Sequence, residues 1–237
     1  GLAFMGNAMA APQTITSGPE RVSLLELYTS EGCSSCPPAE AWLSGLIDDS
    51  RLWKQLVPVA FHVDYWDDQG WRDPFDSPEY TDRQKRLGGA VIYTPEFMVD
   101  GREWDNWFNH WLLKLPAPAK AGVLSLTADG RRVTVHFIPS VPVNSDLEVE
   151  VVLLAFGVDV PVGAGENQGA TLRHDFLVVS DAHGRLALNK DSYDAVLNLP
   201  PSVTVKAARY ALAGWVSASD DAAPIQTVGA WLADSLN

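Results

Sequence analysis

Two apolar runs stand out in the first hundred residues, and each is followed by a polar loop. Residues 21–28 are mostly apolar, and residues 56–64 form a nearly continuous apolar run. Short apolar runs of this kind are typical of strands that are covered on both faces of a sheet. We therefore predict a strand at each run, and we expect the second to be a central strand covered on both faces.

Three segments after these strands have features of helices. Residues 37–49 carry apolar side chains three and four apart, and residues 104–115 show the same spacing with several aromatic residues. Residues 78–87 are more polar and are followed by Gly88-Gly89, a common helix end. We therefore predict three helices, of which the one at 104–115 is expected to pack on the sheet.

The pattern changes after Pro116-Ala117-Pro118. Apolar and polar residues then alternate in short segments separated by turn residues such as Asp129-Gly130. Alternation of period two with such turns is typical of a β-sandwich. We predict a lead-in or signal remnant at 1–19, a first domain at 20–117 and a β-rich, sandwich-like domain at 118–237.

Cys33 and Cys36 are the only cysteines, and they lie between the first strand and the first helix. The start of a helix stabilises a thiolate, so Cys33 is the expected nucleophile and Cys36 the residue that resolves a mixed disulfide. This order of elements predicts an α/β fold with a thioredoxin-like domain and a Cys-x-x-Cys at a helix N-terminus. An inert structural disulfide and a metal-binding pair remain alternatives. A closed zinc site needs two further ligands, and the sequence offers no second pair.

Two further stretches contain candidate substrate-binding residues. Thr94-Pro95 precedes an apolar run, at the place where thioredoxin-like folds have a cis-proline that faces the cysteines. The loop after residue 64 is rich in aromatic residues and carboxylates, including Trp66 and Trp71. We predict that Thr94, Pro95, Trp66 and Trp71 contact a partner chain. The two tryptophans alternatively only cover the core.

Glu26 is a candidate for proton transfer to the second cysteine. A carboxyl group facing inward from this strand would have a raised pKa and would act as a general base. The alternative is an exposed or locally paired glutamate. His62 lies in the second apolar run and is expected to be a core residue with its hydrogen bonds satisfied.

Charge and the N-terminus restrict the partners and the location. The chain of 237 residues has a formal net charge of −13, which argues against nucleic acid or an anionic membrane as the main partner. No apolar run approaches the roughly 20 residues of a membrane span. Ala8-Met9-Ala10 has the form that signal peptidase recognises, so we predict a secreted or periplasmic protein. A tail with chance alanines is the alternative. We expect no cofactor.

The sequence resembles a family of predicted secreted, mostly bacterial proteins with a thioredoxin-like fold and no established function. The residues that carry the resemblance are 26–39, 60–66, 70–75, Arg83-Gln84, Tyr93-Thr94-Pro95 and Val99-Asp100-Gly101. It runs over most of the chain and is looser in the second half, through Gly165-Glu166-Asn167. The resemblance implies a fold and a location, but no activity.

Three functions are compatible with these observations. The first is a thiol–disulfide oxidoreductase that acts on a protein thiol or disulfide partner. The second is a non-catalytic module that binds a ligand or protein and has a structural Cys33–Cys36 disulfide. The third is a Cu(I)-handling protein, with His62 or Met98 near the sulfurs. Gly32 and Ser34-Ser35 stand where thioredoxin has tryptophan and Gly-Pro, so oxidase and reductase directions both stay open.

Overall fold

The computed structural model describes residues 11–89, 91–109 and 113–233. Within these residues the chain forms fifteen strands and two α-helices. The strands are β1 (Gln13–Thr16), β2 (Ser23–Thr29), β3 (Leu56–His62), β4 (Glu96–Val99), β5 (Arg102–Glu103), β6 (Gly122–Asp129), β7 (Arg132–Pro139), β8 (Leu147–Phe156), β9 (Val158–Pro161), β10 (Thr171–His174), β11 (Leu177–Arg185), β12 (Ala187–Asn189), β13 (Ser192–Asn198), β14 (Arg209–Ala218) and β15 (Asp221–Trp231). The α-helices are α1 (Pro37–Ser44) and α2 (Pro78–Gly88), and short 3-10 helices lie at Gly45–Asp48, Asp67–Gln69 and Asn106–Asn109.

Two large sheets pack face to face. An eight-stranded sheet has the order β15-β14-β8-β11-β3-β2-β4-β5, and a five-stranded sheet has the order β1-β6-β7-β13-β12. Successive side chains of β8 point to opposite faces of its sheet, so that every second one packs against the five-stranded sheet. The apolar core between the sheets includes Leu147, Val149, Val151, Leu153 and Ala155 of β8 with Leu124, Leu126, Val135 and Phe137.

The two helices lie on opposite faces of the eight-stranded sheet. Phe97 of β4 contacts Trp42 of α1, with ring centroids 5.2 Å apart. The next residue, Met98, has its methyl group against Gly88 of α2. Because successive side chains of a strand point to opposite faces, α1 and α2 are on different sides.

The predicted fold class is wrong. Strand β3 pairs in parallel with β2 on one side and with β11 on the other, where Leu177 lies opposite Ala60. Strands from both halves of the sequence therefore belong to one sheet, in a mostly β, sandwich-like molecule rather than a thioredoxin-like domain followed by a second domain. Local periodicity identifies a strand but not its distant partner, and the edge of β3 is covered by β11. The boundaries at 19 and 117 stay a prediction.

The predicted elements have the expected type in most places. Residues 37–49 become α1 and a 3-10 turn, and the strands at 21–28 and 56–64 become β2 and β3. Of the helix predicted at 104–115, the described part contains only the 3-10 helix Asn106–Asn109. The predicted signal remnant at residues 8–10 lies outside the described residues. Across the described ranges, every helix is too short or too polar to cross a membrane.

A small hairpin lies in the chain between β8 and β11, which are themselves paired in the eight-stranded sheet. Its strands β9 and β10 pair only with each other, with Val158 opposite His174. The connection between them, residues 162–170, contains no regular strand or helix. This hairpin positions the functional site described next.

Candidate functional site

The two cysteines form a disulfide at the start of α1. Their Cα atoms are 5.4 Å apart, and Cys36 is the N-cap residue, with Pro37 and Pro38 in the first turn. The backbone N–H of Ala39 donates to the carbonyl of Cys36 at 2.9 Å. Proline fits this position because the first helical N–H groups have no partner within the helix.

Both sulfurs are inaccessible in this state. Cys33 and Cys36 have 0% exposure, whereas Ser34 and Ser35 between them are exposed. The Ser35 hydroxyl lies 3.3 Å from Cys33 Sγ. A reaction at the disulfide therefore requires some covering part of the protein to move.

Residues 162–170, here called the covering loop, bind to the segment that carries the cysteines. The backbone N–H of Ser34 donates to Glu166 Oε2 at 3.0 Å. The side-chain amide of Asn167 donates to the carbonyls of Glu31 and Cys33, at 2.8 and 3.0 Å. Hydrogen bonding from Ser34 holds the pKa of Glu166 below its usual value. The loop is therefore attached through polar contacts to the backbone around the disulfide.

The predicted substrate-binding residues lie near this segment. The indole N–H of Trp66 donates to Thr94 Oγ1 at 2.8 Å, and a Cβ atom at Gly32 would lie 3.0 Å from Trp66 Cβ. The Thr94–Pro95 peptide is cis, as expected, and Pro95 is buried. Trp66 therefore connects Thr94 to the residue that precedes Cys33.

Trp71 lies beneath the covering loop. Its indole N–H donates to Glu31 Oε2 at 2.7 Å, and its ring lies against Gly163. A side chain at Gly163 would collide with this ring, because its Cβ would be 2.8 Å from Trp71 Cζ3. Trp71 is thus a support for the loop as well as a neighbour of Glu31.

Glu26 and Met98 lie on the face of the sheet opposite α1. Glu26 pairs with Met98 across β2 and β4, and paired residues share a face. Its carboxylate accepts hydrogen bonds from Arg83 at 2.6 Å and from Tyr28 at 2.9 Å. The role of Glu26 in proton transfer and the Cu(I) role of Met98 stay predictions, and the contacts of both residues are with the α2 side.

Five ionisable residues form a buried cluster under the disulfide-bearing segment. Its members are Glu31, Glu40, His62, Asp73 and His174. His62 Nδ1 is 2.7 Å from Asp73 Oδ2, and His174 Nδ1 is in hydrogen-bond contact with Glu40 Oε2. The imidazole rings are 5.0 Å apart between centroids. Residues from α1, β3, β10 and two loops thus meet in one buried place.

The charges of the cluster support one another. Burial by itself would lower the pKa of His174, but the carboxylates of Glu40 and Glu31 outweigh it and raise the pKa to about 10. For His62, burial also opposes ionisation, and Asp73 raises the pKa. Burial would raise the pKa values of Glu40 and Asp73, and the neighbouring histidines lower them. Opposite charges therefore offset the cost of burial.

The cluster is adjacent to the cysteines along the chain. Glu31 is two residues before Cys33, and the backbone N–H of Glu40 donates to the carbonyl of Cys36 at 3.1 Å. The arrangement can therefore place charged groups near thiols that form when the disulfide is reduced.

Sequence reasoning missed most of this cluster. The sequence predicts His62 to be a satisfied core residue, yet its Nε2 has no hydrogen-bond partner among the residues that the structure describes. Glu31 and Glu40 flank the cysteine pair, which is a signal that we could have used. No local pattern marks His174, since it is brought in by the β9–β10 hairpin more than a hundred residues later.

Within the described ranges, two groups of side chains have the composition of metal ligands. Glu40, His62 and His174 are buried, and one ligand atom of each lies within 4.8 Å of the others. Glu79, Asp181 and His183 meet the same distance criterion near the surface. Only the first group adjoins the disulfide.

Two solved structures share the fold at low sequence identity. Protein AGR_C_4864 from Agrobacterium tumefaciens is 23% identical, with a TM-score of 0.55 over 92% of this chain and 96% of that chain. HBP35 of Porphyromonas gingivalis is 13% identical, with a TM-score of 0.58 over 92% of this chain and 77% of that chain. No curated protein matches this chain in sequence. The family model described as "Protein of unknown function (DUF1223)" matches residues 24–217, and the chain therefore belongs to that family.

Proposed function

We propose that this protein exchanges disulfides with a protein partner in a secreted or periplasmic location. The observation that carries the proposal is the disulfide between the only two cysteines, at the start of α1 and beneath a loop held by hydrogen bonds. Residues 163–169 of that loop are all exposed or half-buried, so displacing them removes little apolar contact from the core. Disulfides persist in oxidising compartments, which accounts for the proposed location.

The chemistry proceeds in two exchanges. In the dithiol state, the Cys33 thiolate attacks one sulfur of a partner disulfide and forms a mixed disulfide, and the other partner sulfur leaves as a thiolate. The Cys36 thiolate then attacks Cys33 Sγ, closes the internal disulfide and releases the second partner sulfur. The partner is reduced by two electrons and the protein is oxidised by two. The reverse sequence oxidises a partner dithiol.

Local groups favour Cys33 as the attacking residue. The Ser35 hydroxyl, 3.3 Å from Cys33 Sγ, can donate a hydrogen bond to a thiolate there. Ser34 and Ser35 are exposed, so a partner chain reaches this side of the pair first. The neighbouring Trp66 and Thr94 supply a surface for that chain.

The reduction potential of the Cys33–Cys36 pair tests the proposal. Protein equilibrated with a glutathione or dithiothreitol series is alkylated and the reduced fraction is measured. Known oxidoreductases lie between about −120 and −270 mV, and we expect a value in this range. A value well below about −300 mV is typical of a structural disulfide and would contradict the proposal.

A second candidate function is a non-catalytic binding module with a structural disulfide. The complete burial of both cysteines favours it. It predicts a low potential and a reduction rate that does not depend on the covering loop. The same alkylation series therefore separates the two functions.

A further inference from the structure

The buried cluster contains a histidine nitrogen that forms no hydrogen bond with any group in the described part of the chain. His62 is 1% exposed, its Nδ1 is bound to Asp73, and its Nε2 is buried without a hydrogen-bond partner. A buried polar atom of this kind costs free energy unless something binds it. The atoms around Nε2 therefore decide which ligand this nitrogen would bind.

Glu40 and His174 are the neighbours of this histidine. One ligand atom of each of the three residues lies within 4.8 Å of the others. Ligands bound to one transition-metal ion at about 2.0–2.2 Å are separated by no more than about 4.4 Å, so small side-chain adjustments suffice. We propose that Glu40, His62 and His174 bind one divalent first-row transition-metal ion, with Zn²⁺ as the preferred member of the class.

The carboxylates around the three residues are arranged as outer partners of metal ligands. Asp73 holds His62 Nδ1 at 2.7 Å and leaves Nε2 for the ion. The Nδ1 of His174 is in hydrogen-bond contact with Glu40, whereas its Nε2 lies 3.3 Å from Glu31 Oε1 and forms no hydrogen bond with the described residues. Such carboxylate–histidine pairs orient imidazole ligands in metal sites.

Glu40 is also held in place by a neighbour. The hydroxyl of Thr29 donates to Glu40 Oε1 at 2.7 Å, which leaves Oε2 towards His174. Two imidazoles and one carboxylate form the ligand set of several zinc enzymes and of the non-haem iron triad. The set contains no sulfur, since both cysteines are in the disulfide.

The charge of the cluster fits a divalent ion. Glu31, Glu40 and Asp73 contribute three carboxylates, and the two imidazoles together take up at most two protons. One divalent ion bound to neutral imidazoles supplies the same positive charge as those two protons. Metal binding thus replaces protons without adding uncompensated charge to the interior.

Binding would join elements that are distant in the sequence. Glu40 comes from α1, His62 from β3 and His174 from β10. The ion would therefore attach the β9–β10 hairpin, and with it the covering loop, to α1, the helix that Cys36 caps. This site is independent of whether the disulfide takes part in exchange.

Zinc titration of the full-length protein tests the site. The protein is kept oxidised so that no thiolate can bind metal, stripped with a chelator, and titrated with Zn²⁺ by calorimetry. A second sample is unfolded and refolded with Zn²⁺ and its metal content is measured, because the site is buried. We expect the protein to bind one ion per chain. We expect the affinity for Zn²⁺ to fall more than about 100-fold in His62→Gln and in His174→Gln.

Three comparisons separate a ligand from a structural residue. Asp73→Asn, which alters only an outer partner, should weaken binding by about 10–100-fold. His183→Gln and His136→Gln remove exposed or half-exposed histidines outside the buried cluster and should leave affinity unchanged. His183→Gln also disrupts the surface group of Glu79, Asp181 and His183.

Cobalt provides a readout that does not depend on stability. Co²⁺ bound to nitrogen and oxygen ligands should give visible d–d absorption without a sulfur charge-transfer band, and His62→Gln should abolish it. The proposal is overturned if the oxidised protein takes up no ion even after refolding with Zn²⁺. It is also overturned if binding disappears in His183→Gln but persists in His62→Gln.

Discussion

The side-chain amide of Asn167 donates a 3.0 Å hydrogen bond to the backbone carbonyl of Cys33, across 134 positions of sequence. The same amide binds the carbonyl of Glu31 at 2.8 Å. One side chain therefore holds the covering loop against the segment that contains the disulfide.

Asn167→Ala should make the disulfide easier to reach. Loss of these hydrogen bonds removes about 1–2 kcal/mol from the closed state of the loop, and the open population rises by roughly 5–30-fold. The rate of reduction by dithiothreitol, followed by alkylation, should rise by a similar factor. Gln168→Ala, at an exposed position of the same loop, is the control and should leave the rate unchanged. Equal rates for the two variants would mean that the loop does not limit access.

Arg83→Met should destabilise the protein strongly. The Arg83 guanidinium is buried 2.6 Å from Glu26 and 3.3 Å from Glu150, and lies 5.0 Å from the ring centroid of Trp215. Removing it leaves a carboxylate buried without its partner, at an expected cost of about 3–5 kcal/mol in urea denaturation.

Two further variants serve as comparisons for Arg83→Met. One changes another basic residue of α2, and the other also removes the charge of Glu26. Lys85→Met, at an exposed pair with Asp82, should change stability by less than about 1 kcal/mol. The double variant Glu26→Gln with Arg83→Met should be more stable than Arg83→Met alone, because it removes the unpaired charge. If the double variant is no better, the loss comes from packing and not from charge.

Asp49→Asn should have a pH-dependent effect on stability. Hydrogen bonds from Arg51 lower the pKa of Asp49, and Arg51 in turn donates to the carbonyl of Leu113 at 2.7 Å. A carboxyl group with a lowered pKa stabilises the fold above its unfolded value of about 3.9, and this contribution is lost as the pH falls through the folded pKa.

The difference in unfolding free energy between the wild-type protein and Asp49→Asn should therefore be largest near neutral pH. Because both side chains are partly exposed, we expect no more than about 1 kcal/mol there. Chemical denaturation at neutral pH and at a pH below the folded pKa checks this. A difference that stays constant with pH would exclude ionisation of Asp49 as its cause.

Gly122→Ala should be much more harmful than Gly130→Ala. Gly122 has a φ of +121°, and a Cβ there would lie 2.3 Å from the carbonyl oxygen of Ile138 in the paired strand. Gly130 has a φ of +53° but has open space around it. We expect a loss of about 3 kcal/mol or more at Gly122 and about 1 kcal/mol at Gly130, measured by thermal or chemical denaturation. Similar losses would show that backbone conformation, and not collision, decides both effects.

Residues that are close in sequence accounted for much of what could be predicted. The apolar runs identified β2 and β3, helical spacing identified α1, a polar segment ended by Gly88-Gly89 identified α2, and Thr94-Pro95 has the expected cis peptide. The cysteine pair lies at a helix start because strand, Cys-x-x-Cys and helix follow one another directly. Each of these features depends on interactions over a few residues, which periodicity and local residue preferences report.

Only the tertiary structure decided the fold class and the composition of the site. Strand β11 joins β3, and the β9–β10 hairpin brings Asn167 and His174 to a segment that begins at Glu31. These contacts depend on which strand edge finds which partner, and loop closure over more than a hundred residues leaves no local pattern. The sequence by itself determined most of the elements and the position of the cysteine pair, whereas long-range strand pairing decided what covers the disulfide and what lies beneath it.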